Sequence, residues 1–213
     1  MNVDTPLGPA RVLRREPGTV HGTLVLGHGA GGGLAAPDLE AVSEAARGAG
    51  WRVLGVEQPW RVAGRRIAPA PARLDLAWTA VLDHLRAADE LVGPLVLGGR
   101  SAGARVACRT AAAHGAAGVL ALAFPLHPPG RPEKSRADEL ALVGVPLLVV
   151  QGETDAFGGP AEVATAAPHA QVAAVAGDHA LKKDVPAVAA AVLGWLDAVS
   201  RAQPRAVTRA TPR

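Results

Sequence analysis

From residue 20 onward, short apolar runs alternate with longer stretches of mixed polarity, a rhythm that predicts strand and helix units in turn. Strands are expected at 19–27, 51–57, 95–98, 118–124, 146–152 and 171–176, with a further one at 10–15. Several, such as Leu147-Leu148-Val149-Val150, are unbroken apolar runs, as strands covered on both faces must be. Helices are expected at 37–48, 70–91, 102–114, 133–142, 160–167 and 185–199, the last with Pro186 tolerated in its first turn. The alternation implies an α/β fold with a doubly wound, mostly parallel sheet. Ligands bind such sheets outside the carboxyl ends of the strands, so chemistry is sought in the loops 27–33, 58–66, 99–103, 125–131, 153–159 and 177–182.

Composition narrows the class. With 213 residues, 49% hydrophobic and 19% charged, the chain can build one sizeable core but not two ordinary domains, and disorder over most of its length is excluded. A single domain over 1–200 and a basic, disordered tail over 201–213 are expected, because Arg201, Arg205, Arg209 and Arg213 stand there without acidic neighbours. That tail carries part of the net charge of +3, and no aromatic residues or nucleic-acid motif accompany it, so no nucleic-acid partner is expected. The single cysteine, Cys108, excludes an internal disulfide and reads as a small core residue in a reducing compartment. Residues 1–18 lack the apolar run of a signal peptide and no window reaches the length of a membrane span, which predicts a cytoplasmic protein without a membrane partner. The excess of Ala, Arg, Gly and Pro fits GC-rich bacterial coding, and nothing in the chain signals an oligomeric state.

The most informative segment is Gly98-Gly99-Arg100-Ser101-Ala102-Gly103, which sets a serine between two glycines where an apolar strand gives way to a helix. This is the pattern of a nucleophile elbow: the serine occupies a sharp turn with its hydroxyl exposed, and the small residues Gly99 and Gly103 let strand and helix pack closely. A serine hydroxyl needs a base to take its proton and a carboxylate to orient that base. His179, in Gly177-Asp178-His179, and Asp155, in Gln151-Gly152-Glu153-Thr154-Asp155, follow the last two strands in the required order. Ser101 is assigned as nucleophile, His179 as general base and then acid, and Asp155 as the orienting carboxylate, with Glu153 and Asp178 as alternative acids.

An oxyanion needs two backbone donors. Ala102 supplies the first, immediately after the nucleophile; the second is expected from His28-Gly29-Ala30-Gly31-Gly32-Gly33, with Ala30 first and Gly31 second. The same glycine-rich loop lacks the endings of a phosphate cradle or a dinucleotide fingerprint, and the seven histidines are scattered, so no cofactor and no metal are expected. His28 and Trp60 are candidate pocket residues, whereas Trp51, Trp78 and Trp195 read as core. Arg100 either meets an anionic substrate group or forms a structural pair with Glu57 or Asp75.

Together with Phe124-Pro125-Leu126-His127-Pro128-Pro129-Gly130 and Gln151-Gly152-Glu153-Thr154-Asp155-Ala156-Phe157-Gly158, the elbow resembles the small capless α/β-hydrolases of the KANL/Tex type, relatives of the dienelactone-hydrolase branch, over about residues 20–200. The resemblance implies a minimal fold with no cap domain and the same triad positions, and it draws attention to His127 beside the pocket; read alone, His127 is a rigid-loop residue that either touches substrate or does not. Only about twenty residues separate the strands ending near 124 and starting near 146, too few for an inserted lid domain. The expected activity is therefore that of a serine hydrolase cleaving a small-molecule ester, thioester or lactone through an acyl-enzyme; the alternative is a catalytically silent hydrolase fold used as a binding or scaffold module.

Overall fold

The structure, a computed structural model, describes residues 1–202. Its strands are β1 (Asn2–Val3), β2 (Ala10–Arg15), β3 (Gly22–Gly27), β4 (Trp51–Glu57), β5 (Leu95–Arg100), β6 (Gly118–Leu122), β7 (Leu147–Gly152) and β8 (Gln171–Val175). Its helices are α1 (Pro37–Gly48), α2 (Pro59–Val62), α3 (Pro71–Ala87), α4 (Ala102–Thr110), α5 (Ala137–Ala141), α6 (Pro160–Ala166) and α7 (Val185–Ala202). The strands form one eight-stranded sheet in the order β1-β2-β4-β3-β5-β6-β7-β8, parallel from β4 through β8 and antiparallel only where β1 and β2 continue the edge. Every predicted strand and helix is present within a few residues; β1 and α2 were missed because two and four residues carry no readable period.

The two faces of the sheet bury separate cores. Leu24 and Leu26 of β3 pack with Leu39 and Val42 of α1 and with Val192 and Leu196 of α7. Val25, between them in sequence, faces the other way and joins Trp78 and Leu82 of α3 and Val106 of α4. Trp51, Trp78 and Trp195 are buried as expected, and Cys108 is a buried free thiol whose desolvation pushes its pKa up to about 12. The connection from β6 to β7 holds only a 3-10 turn at Pro132–Lys134 and the five-residue α5, so no domain is inserted above the sheet.

Two details differ from expectation. By length and composition α7 could cross a membrane, although no such window was anticipated; here Val188, Val192, Trp195, Leu196 and Val199 of this helix are buried in the core. Arg201, expected to open an unpaired tail, instead continues α7 and lies 2.6 Å from Asp197 one turn back, while residues 203–213 of that tail lie outside the described residues.

Candidate active site

Because β3 through β8 all run parallel, the loops leaving their carboxyl ends gather at one edge of the sheet. Ser101 stands there between β5 and α4 with φ 52° and ψ −107°, a conformation that a residue with a side chain adopts only under constraint. The constraint is visible. A Cβ on Gly99 or Gly103 would overlap the carbonyl of Gly27, so strand, turn and helix are packed backbone to backbone, and the Ser101 N–H donates to Leu122 O at 2.9 Å. The Ala102 N–H opens α4 and meets no acceptor among the described residues.

His179 lies with Nε2 3.0 Å from Ser101 Oγ and Nδ1 2.8 Å from Asp155 Oδ2. An ionised carboxylate only accepts, so in the neutral ring Nδ1 carries the proton and Nε2 is free to accept from the serine hydroxyl. The Asp155 side chain is fully buried, and its two oxygens are satisfied: Oδ1 accepts from Phe157 N–H at 2.8 Å, and Oδ2 accepts from Gln151 Nε2 at 2.9 Å as well as from the histidine. The alternative acids are elsewhere: Glu153 is exposed, and Asp178 Oδ1 accepts from the Ala180 N–H. The arrangement can move a proton from Ser101 to His179 while Asp155 stabilises the resulting cation.

Two residues of this cluster escaped the sequence reading. Gln151, the lone polar side chain ending the apolar run of β7, is completely buried, and the two hydrogens of its Nε2 are shared among Phe124 O at 3.1 Å, Gly158 O at 2.7 Å and Asp155. Its polarity within an otherwise apolar strand was the available signal. Phe157 stacks on His179 with ring centroids 4.2 Å apart, a contact for which the sequence holds no signal.

A Cβ on Gly29 would lie 3.5 Å from Ser101 Cβ, which places the glycine-rich loop against the nucleophile with Ala30 and Gly31 exposed at its turn. His28, expected at the pocket, is almost fully buried and walls a small void beside the elbow. Its Nε2 accepts from Gln58 N–H at 3.1 Å, so Nδ1 is the protonated nitrogen and donates to Gly29 O at 2.9 Å. Burial lowers its pKa, which keeps the ring neutral, and it serves as a clip between the β3 and β4 loops. Trp60 is almost fully buried, 5.5 Å from the His28 ring, and walls two cavities, one of which reaches the elbow at Ala102 and Gly103.

Arg100 and His127 also need correction. Glu57 is held by Arg11 at 3.1 Å and Asp75 by Arg109 at 2.6 Å, so neither is free for Arg100. Arg100 turns instead toward α1, with Nε 3.1 Å from Asp38 Oδ2, and donates from Nη2 to the backbone carbonyl of His179 at 2.9 Å. Asp38 is fully buried, and desolvation pushes its carboxyl above the usual range against the opposing pull of Arg100. Two of its nitrogens are thus engaged behind the base, while Nη1 lies 3.4 Å from where a Cβ on Gly29 would stand, against the glycine-rich loop. His127 faces two acceptors, Pro128 O at 3.0 Å and Glu162 Oε2 at 3.1 Å, and its backbone N–H donates to Phe157 O at 3.0 Å. With both ring nitrogens occupied it braces the loop that carries Asp155.

The profile of the family described as "Alpha/beta hydrolase domain" matches residues 20–191. No curated protein sequence matches the chain. Solved structures of similar fold include an α/β serine hydrolase without a lid from Xanthomonas campestris, at 21% identity and a TM-score of 0.77 over 96% of this chain and 95% of that one. Est1E from Butyrivibrio proteoclasticus, also solved with ferulic acid bound, aligns with a TM-score of 0.77 at 16% identity over 93% of this chain and 98% of that one. TT1662 from Thermus thermophilus aligns with a TM-score of 0.68 at 22% identity over 95% of this chain and 98% of that one.

Proposed function

Since the chain belongs to the alpha/beta hydrolase family, we propose that it is a serine hydrolase that cleaves a small carboxylic ester, thioester or lactone through an acyl-enzyme. The observation that carries this reading is the unbroken chain of contacts from Ser101 Oγ through His179 to the buried Asp155, at 3.0 and 2.8 Å.

In this reading His179 Nε2 takes the hydroxyl proton as Ser101 Oγ attacks the substrate carbonyl. The negative charge developing on the carbonyl oxygen is met by the Ala102 N–H and by a second N–H from Ala30 or Gly31. Collapse of the intermediate expels the alcohol or thiol, which takes the proton back from His179 and leaves the acyl group on Ser101. Water, deprotonated by the same ring, then attacks the acyl-enzyme and releases the acid. The short connection between β6 and β7 leaves the cleft open, which favours small substrates over long acyl chains that need a covered groove. The buried free thiol Cys108 fits a cytoplasmic setting.

The test is labelling by a fluorophosphonate, read by intact mass beside Ser101→Ala. One adduct on the parent and none on the variant is the expected result. A folded parent that takes no adduct overturns the reading and leaves a hydrolase fold used for binding.

A further inference from the structure

The charged side chains are distributed unevenly over the described surface. Arginines such as Arg11, Arg15, Arg52, Arg105 and Arg109 each lie within 4.0 Å of a carboxylate. Among the described residues, every Arg and Lys without such a partner belongs to a loop leaving the carboxyl end of β4, β6 or β8, or to the first turn beyond it. The β4 group is the densest: Arg61, Arg65, Arg66 and Arg73 occur in a segment, 58–73, that holds no acidic residue. The carboxylates of the same edge that lack a cationic partner, Glu133, Asp138, Glu153, Asp178 and Asp184, stand in the loops after β6, β7 and β8 or the first turn beyond them, and none in that after β4. An anion arriving at the nucleophile is drawn toward β4.

A cavity of about 240 Å³ is formed there, with Arg65 and Arg73 among its walls and Leu7, Pro59, Ile67 and Ala68 supplying apolar surface. Two further wall residues, Gln58 and Trp60, are each more than nine-tenths buried, yet Gln58 Oε1 and the Trp60 indole Nε1–H have no hydrogen-bond partner among the described residues. Buried polar atoms in folded chains are rarely left so. The same two residues wall a small void that reaches His28, Ala102 and Gly103, which ties the cavity to the elbow. Arg61 completes the link: its Nε and Nη2 would lie 3.9 Å from a Cβ on Gly33, against the loop expected to supply the oxyanion donor.

We propose that the β4 exit loop is an anion subsite, and that the substrate carries a negatively charged group, a carboxylate or a phosphate, a few atoms from the scissile carbonyl. This names the substrate class of the hydrolase reading above and rests on it. The cavity admits a short substituent whose methylenes lie on Leu7, Ile67 and Ala68 and whose charged end meets the guanidiniums, which bind planar oxyanions in pairs of hydrogen bonds.

Two esters of equal chain length and the same leaving group give the test: mono-p-nitrophenyl glutarate, with a terminal carboxylate, and p-nitrophenyl valerate, without one. The parent should favour the glutarate ester in kcat/KM by at least about tenfold, the value of one charge-assisted contact. That ratio should fall with added salt and drop to about one in Arg61→Gln/Arg65→Gln/Arg73→Gln; these side chains hold no carboxylate partner among the described residues, so the variant keeps its stability. Calorimetry of glutarate and of inorganic phosphate on Ser101→Ala reads the subsite without turnover, and the tighter of the two identifies the anion. Salt-sensitive binding lost in the triple variant supports the proposal even if no ester is hydrolysed. Valerate turnover with no preference for the charged ester overturns the subsite and leaves the hydrolase reading standing. A parent that takes no fluorophosphonate, turns over neither ester and binds neither anion overturns both.

Discussion

Phe157 is joined to both ends of the same proton path: its ring stacks 4.2 Å from His179, and its backbone N–H donates at 2.8 Å to Asp155. The loop that delivers the acid thus also restrains the base. Replacing the ring leaves the backbone donor in place but frees the imidazole to turn away from Ser101. Phe157→Ala should lower kcat/KM on a neutral p-nitrophenyl ester by about threefold to tenfold, the value of an aromatic pair, with the fall in kcat rather than KM. A rate equal to the parent's would show that Asp155 and Arg100 alone hold the ring.

Gly103 should be intolerant of any side chain. A Cβ there would overlap the Gly27 carbonyl and sit 3.0 Å from Gly27 Cα, and neither strand β3 nor helix α4 can withdraw without moving Ser101. Gly103→Ala should lower the urea midpoint by the equivalent of at least about 1–3 kcal/mol and reduce fluorophosphonate labelling in the protein that remains folded. Unchanged stability with full labelling would mean that the elbow is looser than its packing implies.

What could be read from the chain and what could not divide along physical lines. Strand and helix periods persist over several residues, so β3 through β8 and their crossovers were legible, and with them the edge at which a site must form. The order of Ser101, Asp155 and His179 followed because each closes a strand. Through-space choices were not legible. The partner of Arg100 is Asp38, in the first turn of a helix packed on the other face of the sheet, and only the folded crossover brings the two together. His28 heads the glycine-rich loop, but the Gln58 N–H that claims its ring comes from the loop leaving the next strand, β4. Gln151 could have been singled out as a polar residue in an apolar strand, although its acceptors come from two loops, those leaving β6 and β7.

The Asp38 and Arg100 pair separates stability from positioning. Asp38 is wholly buried, and removing its cation would strand a carboxylate out of water. Arg100→Met should therefore destabilise the fold by about 3–5 kcal/mol and also release the His179 carbonyl that Arg100 Nη2 holds at 2.9 Å. Adding Asp38→Leu removes the stranded charge and should restore most of the thermal stability, while kcat stays depressed because the carbonyl still lacks its donor. Recovery of stability and kcat together in the double variant would assign the pair a purely structural role.

The pH dependence of stability should carry the signature of His127 and Glu162. Acceptance by Pro128 O, with a further contribution from Glu162, raises the His127 pKa above its ordinary 6.5; the Gly159 N–H and then His127 lower Glu162 below its ordinary 4.5. A raised histidine stabilises the fold fully below 6.5 and ceases to do so as pH climbs through its folded value, whereas a lowered carboxyl stabilises above 4.5 and ceases as pH falls through its own. The two conditions overlap between pH 4.5 and 6.5. The difference in Tm between the parent and His127→Gln should be largest in that window and shrink on both sides of it. Because the Glu162 side chain is 54% exposed, added salt should narrow the difference further. A difference that stays constant from acid to alkaline pH would mean that the imidazole acts here only by its shape, holding the Asp155 loop through packing rather than charge.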